Sequence, residues 1–200
     1  MSVVRQASAV AVSGPSPWKA VVEAIQEAEP RRLLDIGPGR GEIAEWIAGL
    51  GIEVTEASVA DLQGLPFPDG SFHCVLAAWR LDRAEDVDFA LREVRRVLHP
   101  EGRLVAATNS EQTLAELWDL VDHGPRSARF SAESGQWPLL RYFTIVARRD
   151  IRGTFTFPNR EAAYQYVAAS PTGAQLAERL PYFEGALHAQ WHAVVFVAEP

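Results

Sequence analysis

Cysteine and methionine are almost absent from this 200-residue chain, which contains one of each. A single cysteine cannot form an intramolecular disulfide, and Cys74 lies in an apolar run over residues 74–78, which predicts a small buried side chain. We therefore expect a protein of a reducing compartment, the cytoplasm. The cysteine and the five scattered histidines lack the spacing of metal ligands, so we predict no metal site.

Positive charge and long apolar runs are also scarce. The 26 Asp and Glu residues outnumber the 19 Lys and Arg residues, which gives a formal net charge of −7. Proteins that bind nucleic acid usually present a basic face, whereas the arginines here alternate with acids, as in residues 92–96, which we interpret as a solvated helix face. No apolar run reaches transmembrane length, and Arg5 and Gln6 interrupt the N-terminal stretch, which makes it a poor signal peptide. We expect neither a nucleic-acid partner nor a membrane partner.

Helix and strand patterns alternate along the chain, and 48% of the residues are hydrophobic, enough for one core. This alternation predicts an α/β fold with a parallel sheet covered on both faces. We predict a flexible arm over residues 1–17 and a single domain over residues 18–200. The predicted strands are residues 32–36, 52–57, 73–79, 103–108, 143–157 and 191–198, and the predicted helices are residues 18–28, 42–50, 87–98, 160–170 and 172–180.

A glycine-rich turn follows the first predicted strand. Glycines at Gly37, Gly39 and Gly41 let the backbone turn through positive φ and leave no Cβ in the way, so a ligand can lie against the main chain at a helix N-terminus. The dinucleotide fingerprint places its third glycine one residue further on, and the ATP-binding loop ends in Gly-Lys-Ser/Thr. The spacing therefore predicts a nucleotide-type loop of another kind; the alternative is a structural turn between a strand and a helix.

Together with Asp35, this turn resembles motif I of the class I S-adenosylmethionine-dependent methyltransferases, and the chain resembles the type 11 members of that family. In the family the strand-end acid organises the loop near the methionine ammonium, and the glycines pass under the methionine and the ribose. Residues 61–72 resemble the loop that places an acid beside the adenine. Residues 90–105 resemble the helix, turn and strand after the fourth strand. The resemblance implies a Rossmann-like doubly wound sheet, a C-terminal antiparallel strand and S-adenosylmethionine as cofactor.

The resemblance also implies which positions contact the cofactor. On the loop they are Asp35, Gly37, Pro38, Gly39 and Gly41, and after the following strands they are Glu56, Ser58, Asp61, Leu62 and Ala78.

The chemistry predicts little about the catalytic residues. A sulfonium methyl is already activated, so placement of the acceptor supplies most of the catalysis, and a base is needed only when the acceptor carries a proton. The catalytic residues are therefore unknown, and the candidate is His123, within residues 111–142, the segment that we predict to cover the acceptor. Residues 77–80 lack the Asn-Pro-Pro-aromatic motif of base-modifying enzymes, which favours a small-molecule acceptor.

The chain departs from the family between Gly41 and Asp61, which are only 20 positions apart (61 − 41). A second crossover does not fit into this length. Counted forward from the glycine loop, residues 52–57 match the second family strand, and Ser58 falls near the position of the acid that binds the ribose. Counted backward from Leu65, the same residues match the third strand, and Asp61 is the adenine-side acid. Both alternatives imply that one edge helix–strand unit is missing.

The missing unit has two consequences. It removes one wall of the adenosine pocket, so we expect cofactor binding to be weakened or lost. It also exposes a strand edge, which Glu53 and Glu56 protect as charged residues or a second chain covers. We predict a homodimer across this edge or the adjacent surface.

Two functions follow from these patterns. The first is methyl transfer from S-adenosylmethionine to a small molecule, which the intact motif I favours. The alternative, favoured by the missing unit, is a methyltransferase-like protein that has lost methyl transfer and acts as a binding or accessory subunit, or on another small-molecule reaction. The glycine spacing and the lack of a clear ribose acid on the second strand disfavour a dinucleotide oxidoreductase.

Overall fold

A computed structural model of the protein describes residues 10–37, 46–47, 49–124, 128–170 and 173–200. Seven strands form one mixed sheet in the order β1-β6-β7-β5-β4-β2-β3. The strands are β1 (Ala11–Ser13), β2 (Arg32–Ile36), β3 (Glu53–Ala57), β4 (Phe72–Ala78), β5 (Leu98–Asn109), β6 (Thr144–Phe157) and β7 (Leu187–Glu199).

The helices are α1 (Pro17–Glu27), α2 (Val87–Val97), α3 (Ala115–Trp118), α4 (Gln136–Leu139), α5 (Arg160–Ala168) and α6 (Gly173–Ala177). The longer helices begin at local start signals. Pro17 opens α1, where its missing N–H costs nothing. Asp86 caps α2 by accepting the Phe89 N–H at 2.9 Å, and Asn159 caps α5 in the same way. No described helix combines the length and the apolar character needed to cross a membrane.

The centre of the sheet is parallel. β2 pairs with β3 on one side and with β4 on the other, and β4 pairs in parallel with β5. Asp35 therefore lies between Glu56 and Leu76 in register. Because the carboxyl ends of parallel strands meet at one edge of a sheet, the segments after β2, β3, β4 and β5 come together there. β7 runs antiparallel to β5, as the family resemblance implies.

The chain divides into two compact units. One contains residues 16–110, 128–151 and 193–200, with β2 to β5 and the first two helices. Its core is apolar and includes fully buried Leu34, Leu76, Phe130 and Phe196, the two phenylalanine rings meeting edge to face at 5.9 Å.

The other unit comprises the described parts of residues 1–15, 111–127 and 152–192. Here Trp191 donates its indole N–H to the Ser13 carbonyl, and the rings of Phe155, Phe157 and Tyr166 pack together.

The predicted fold class is confirmed. Within the described sheet β3 is the last strand and lies directly beside β2, which is the arrangement that the missing edge unit implies. That position agrees with the forward count from the glycine loop. The single domain over 18–200 and the cover segment over 111–142 stay predictions.

Several elements differ from their predicted bounds; β7, for example, begins at Leu187 and not at residue 191. Two of the differences have a clear cause. Part of the predicted arm is β1, which pairs antiparallel with residues 154–156 of β6. β5 begins at Leu98, earlier than predicted, and continues through Pro100. Both differences arise from pairing with distant strands. Residues 1–9 of the arm, and most of the predicted helix over 42–50, lie outside the described residues.

Candidate cofactor site

Asp35 is the charged residue that the fold buries at the candidate site. It lies on β2 with only 7% of its surface exposed. Burial, and next the negative charge of Glu56, raise the pKa of its carboxyl to about 6, against the positive charge of Arg80, which lowers it. A carboxylate kept in the core beside a second acid costs stability, and such costs concentrate at functional sites.

Gly37 begins the turn after β2 and has a φ of +70°, which glycine adopts without strain. Its N–H donates to the carbonyl of Ala57 at the end of β3, and its own carbonyl accepts the Arg80 Nε–H at 2.8 Å. A Cβ at this position would lie 2.6 Å from Nε of Arg80. The site therefore requires glycine here for both conformation and space. The other predicted loop residues, Pro38, Gly39 and Gly41, lie outside the described residues.

Ser58 and Asp61 form a capping box around the 3-10 turn Val59–Gln63. The Ser58 N–H donates to Oδ2 of Asp61 at 2.7 Å, and the Asp61 N–H donates to Oγ of Ser58 at 3.3 Å. These bonds, first from the backbone and then from the side chain of Ser58, lower the pKa of Asp61. Leu62 is fully buried and anchors the turn, while Glu56 remains exposed. The turn thus fixes an ionised carboxylate at the carboxyl edge of the sheet.

Arg96 of α2 holds the next part of this loop in place. Its guanidinium donates to the carbonyls of Leu65 and Phe67 at 2.9 and 2.8 Å, and it pairs in two places with the Glu93 carboxylate. Glu93 in turn accepts the Leu65 N–H at 3.0 Å. The solvated helix face predicted over residues 92–96 is therefore wrong for these two side chains, because the loop folds back over them.

The turn after β4 adds Trp79 and Arg80, two residues that the sequence patterns missed. Ala78 ends the strand and is buried, and Trp79 follows with a φ of +53°, a backbone conformation that costs a residue with a Cβ about 1 to 3 kcal/mol. The Trp79 indole N–H donates to Oδ1 of Asn109 at 2.8 Å, and its ring meets Trp18 edge to face. The signal in the sequence was that Trp79 and Arg80 stand at a strand end where the family motif has other residues.

His123 lies in the other compact unit. Its backbone N–H donates to the carbonyl of Trp118, and its partly exposed ring packs edge-on against the Trp118 indole at 5.3 Å. A catalytic role for His123 stays a prediction. Within the described ranges, no group of three or more His, Cys, Asp or Glu side chains could hold a metal ion.

Comparison with known proteins shows which proteins the chain is similar to in sequence. Residues 55–106 match the family model of a methyltransferase domain. The chain is 33% identical over 129 residues to malonyl-[acyl-carrier protein] O-methyltransferase from Halorhodospira halophila, a match that covers 51% of this chain and 44% of that protein. It is 43% identical over 75 residues to the ubiquinone/menaquinone biosynthesis C-methyltransferase UbiE from Hahella chejuensis, covering 38% of this chain and 29% of the relative.

Over these segments the chain is similar in sequence to S-adenosylmethionine-dependent methyltransferases of class I. The S-adenosylmethionine-dependent methyltransferase from Mesorhizobium loti shares its fold, with a TM-score of 0.57 at 19% identity over 94% of this chain and 99% of that one. The chain spans less than half the length of each of these two curated relatives. The similarity implies S-adenosylmethionine as the cofactor.

Proposed function

We propose that this methyltransferase relative transfers the methyl group of S-adenosylmethionine to a small-molecule acceptor in the cytoplasm. The observation that carries the proposal is the buried Asp35 beside a glycine turn whose first residue, Gly37, has positive φ. The ten positions named from the resemblance are the proposed cofactor contacts. Glycine lets the backbone turn sharply after the strand, and the acid supplies a negative charge for the cofactor's ammonium.

The described residues that would hold the cofactor lie on three neighbouring strand ends. Asp35 lies near the end of β2 and Gly37 follows that strand, Glu56 lies on β3 and Ser58 follows it, and Ala78 ends β4. The cofactor supplies the activated methyl group. The protein's residues orient the cofactor and the acceptor, and a base such as His123 is required only if the acceptor must lose a proton.

A second function is supported by the sheet edge. The family's missing edge unit leaves β3 as the last strand of the described sheet, and a carboxylate that accepts both ribose hydroxyls contributes about 1.5 to 3 kcal/mol. Without that carboxylate, the affinity for the cofactor falls by about 10- to 100-fold. A protein that binds the cofactor weakly, or not at all, would then act as an accessory subunit or on another small-molecule reaction.

Calorimetric titration with S-adenosylhomocysteine, followed by a tritiated-methyl transfer assay, separates these functions. We expect binding with a Kd of tens to hundreds of micromolar, followed by label transfer to an acceptor. The first acceptors to try are those that the relatives' names indicate: a malonyl-[acyl-carrier protein] and a quinone precursor from ubiquinone or menaquinone biosynthesis. No heat up to millimolar ligand contradicts the proposed function. Binding without transfer to a broad set of acceptors supports the accessory role.

We further propose that the protein forms a homodimer across β3 or the adjacent surface. Val54 on this strand is 41% exposed, and Glu53 and Glu56 are exposed beside it. An edge strand presents unpaired backbone groups that a second chain can satisfy. Light scattering at tens of micromolar is expected to give the mass of a dimer; a monomer mass at that concentration contradicts this arrangement.

A further inference from the structure

We propose that Arg80 binds the carboxylate of the cofactor's methionine moiety. Arg80 and Asp35 together then recognise S-adenosylmethionine and S-adenosylhomocysteine as zwitterionic amino acids. This inference rests on the proposed function, because it assigns a residue to one part of the same cofactor.

The position of Arg80 supports this role. It follows β4 by two residues, so it lies at the carboxyl edge of the sheet, beside the glycine turn that follows β2. Its Nε donates to the Gly37 carbonyl at 2.8 Å, and its side chain is partly buried. The guanidinium is thus fixed against the turn on which the cofactor is proposed to lie.

Toward the residues that the structure describes, the Arg80 side chain uses little of its hydrogen-bonding capacity. A guanidinium carries five N–H donors, and Nε uses one of them. In the part of the chain that the structure describes, its two terminal nitrogens donate no hydrogen bond and form no ion pair. These nitrogens match a carboxylate in the two-bond geometry that arginine favours.

The charges around Gly37 have the pattern that an amino acid requires. Asp35 supplies a buried negative charge on β2, and Arg80 supplies a positive charge on the neighbouring strand end, close enough to act on the Asp35 carboxyl. An ammonium bound toward Asp35 and a carboxylate bound toward Arg80 would satisfy both groups at once. A neutral ligand of the same shape would leave both charges without partners.

A purely structural role for Arg80 is the competing explanation, because its side chain also braces the turn at Gly37. Two ligands distinguish the roles. S-Adenosylhomocysteine carries the carboxylate, whereas its decarboxylated form, S-adenosyl-3-thiopropylamine, keeps the adenosine, the sulfur and the amine but lacks the carboxylate. A ligand-binding role affects the first ligand alone, and a bracing role affects both.

The experiment is calorimetric titration of the full chain with each ligand, for the wild type and for Arg80→Gln, Arg80→Lys and Arg83→Gln. Arg83 is an exposed arginine on the same turn and serves as the matched control. We expect Arg80→Gln to weaken S-adenosylhomocysteine binding about 10- to 100-fold and to change binding of the decarboxylated ligand less than about 3-fold. Arg80→Lys keeps the positive charge but lacks the two-bond geometry of the guanidinium, so its affinity for S-adenosylhomocysteine should lie between those of the wild type and Arg80→Gln. The affinity of Arg83→Gln should match that of the wild type.

The opposite patterns overturn the inference. If Arg80→Gln leaves S-adenosylhomocysteine binding unchanged, or weakens both ligands equally, Arg80 does not bind the carboxylate. If Arg80→Gln does not fold, the same comparison is made with Arg80→Lys, whose loss must again be confined to the carboxylate-bearing ligand. If the wild type binds neither ligand, the proposed function fails together with this inference. If the wild type binds S-adenosylhomocysteine but Arg80→Gln affects the two ligands equally, this inference fails and the proposed function stands.

Discussion

Replacing Asp35 with asparagine is expected to raise the free energy of unfolding by about 1 to 3 kcal/mol at pH 8 and to weaken cofactor binding at the same pH. The stability gain arises because the folded protein must bury an ionised carboxyl whose pKa has risen from 3.8 to about 6. Asparagine removes that charge while keeping nearly the same shape. Urea unfolding of the two proteins at pH 8 measures the difference.

The pH dependence follows from the direction of the shift. The folded state binds a proton at Asp35 more tightly than the unfolded state, so the relative stability from this group is fully present below pH 3.8 and is lost as pH rises through about 6. The wild type and Asp35→Asn should therefore converge in stability toward pH 4, separate between about pH 4 and pH 6, and keep a constant difference above pH 6. Equal stability at pH 8 would contradict the burial cost.

Cofactor binding should change in the opposite sense. If the ionised carboxylate of Asp35 accepts a charge-assisted hydrogen bond from the cofactor's ammonium, Asp35→Asn should weaken S-adenosylhomocysteine binding about tenfold or more. Wild-type affinity should also decline below pH 6, whereas the affinity of the variant should not follow this transition. Glu53→Gln is the matched control, because Glu53 is an exposed acid at the start of β3 and is not one of the proposed cofactor contacts. A loss of affinity as large in Glu53→Gln would show a general charge effect.

Removing the Arg96 side chain is expected to lower the free energy of unfolding by about 2 to 4 kcal/mol. Arg96→Ala would leave the Glu93 carboxylate, only 17% exposed, without its cation, and would remove the donors to the Leu65 and Phe67 carbonyls. Urea unfolding of Arg96→Ala against the wild type measures the loss. The slope of the transition should remain unchanged if only the folded state is affected.

Arg95→Ala provides the control for this prediction, since Arg95 precedes Arg96 on α2 but is exposed. Its effect should stay within about 0.5 kcal/mol. Equal losses in the two variants would mean that the helix, and not the bonds to the loop, determines the cost. Arg96→Lys should recover only part of the stability, because one ammonium cannot replace the bidentate pair with Glu93 and both carbonyl bonds.

Asp35→Asn and Arg96→Ala are expected to change the free energy of unfolding in opposite directions. Asp35 is expected to cost stability and to serve binding, whereas Arg96 stabilises the loop that carries the capping pair of Ser58 and Asp61. A site whose central residue destabilises the folded state requires stabilising contacts from the residues around it. The network around Arg96 supplies that support through bonds between a helix and a loop.

Much of the fold could be predicted from the sequence, because its determinants are local. The bounds of β2 were predicted to the residue, and α1, α2 and β4 within one residue at each end, since apolar periodicity and capping residues fix these elements where they stand. The short spacing between Gly41 and Asp61, together with the family resemblance, predicted that β3 would form the edge of the sheet. The resemblance to the family was predicted from motif I, and the matched model over residues 55–106 supports it from the following segment.

The sequence by itself determined the alternation of helices and strands, the glycine at the turn after β2 and the absence of room for a further edge unit. Only the tertiary structure decided which distant groups meet: Arg80 on the Gly37 carbonyl, Arg96 on the loop at Leu65, and β1 on β6. These contacts join residues far apart in the chain and follow no local period. Their geometry is fixed by the register of the sheet and the packing of the core, which local patterns do not specify.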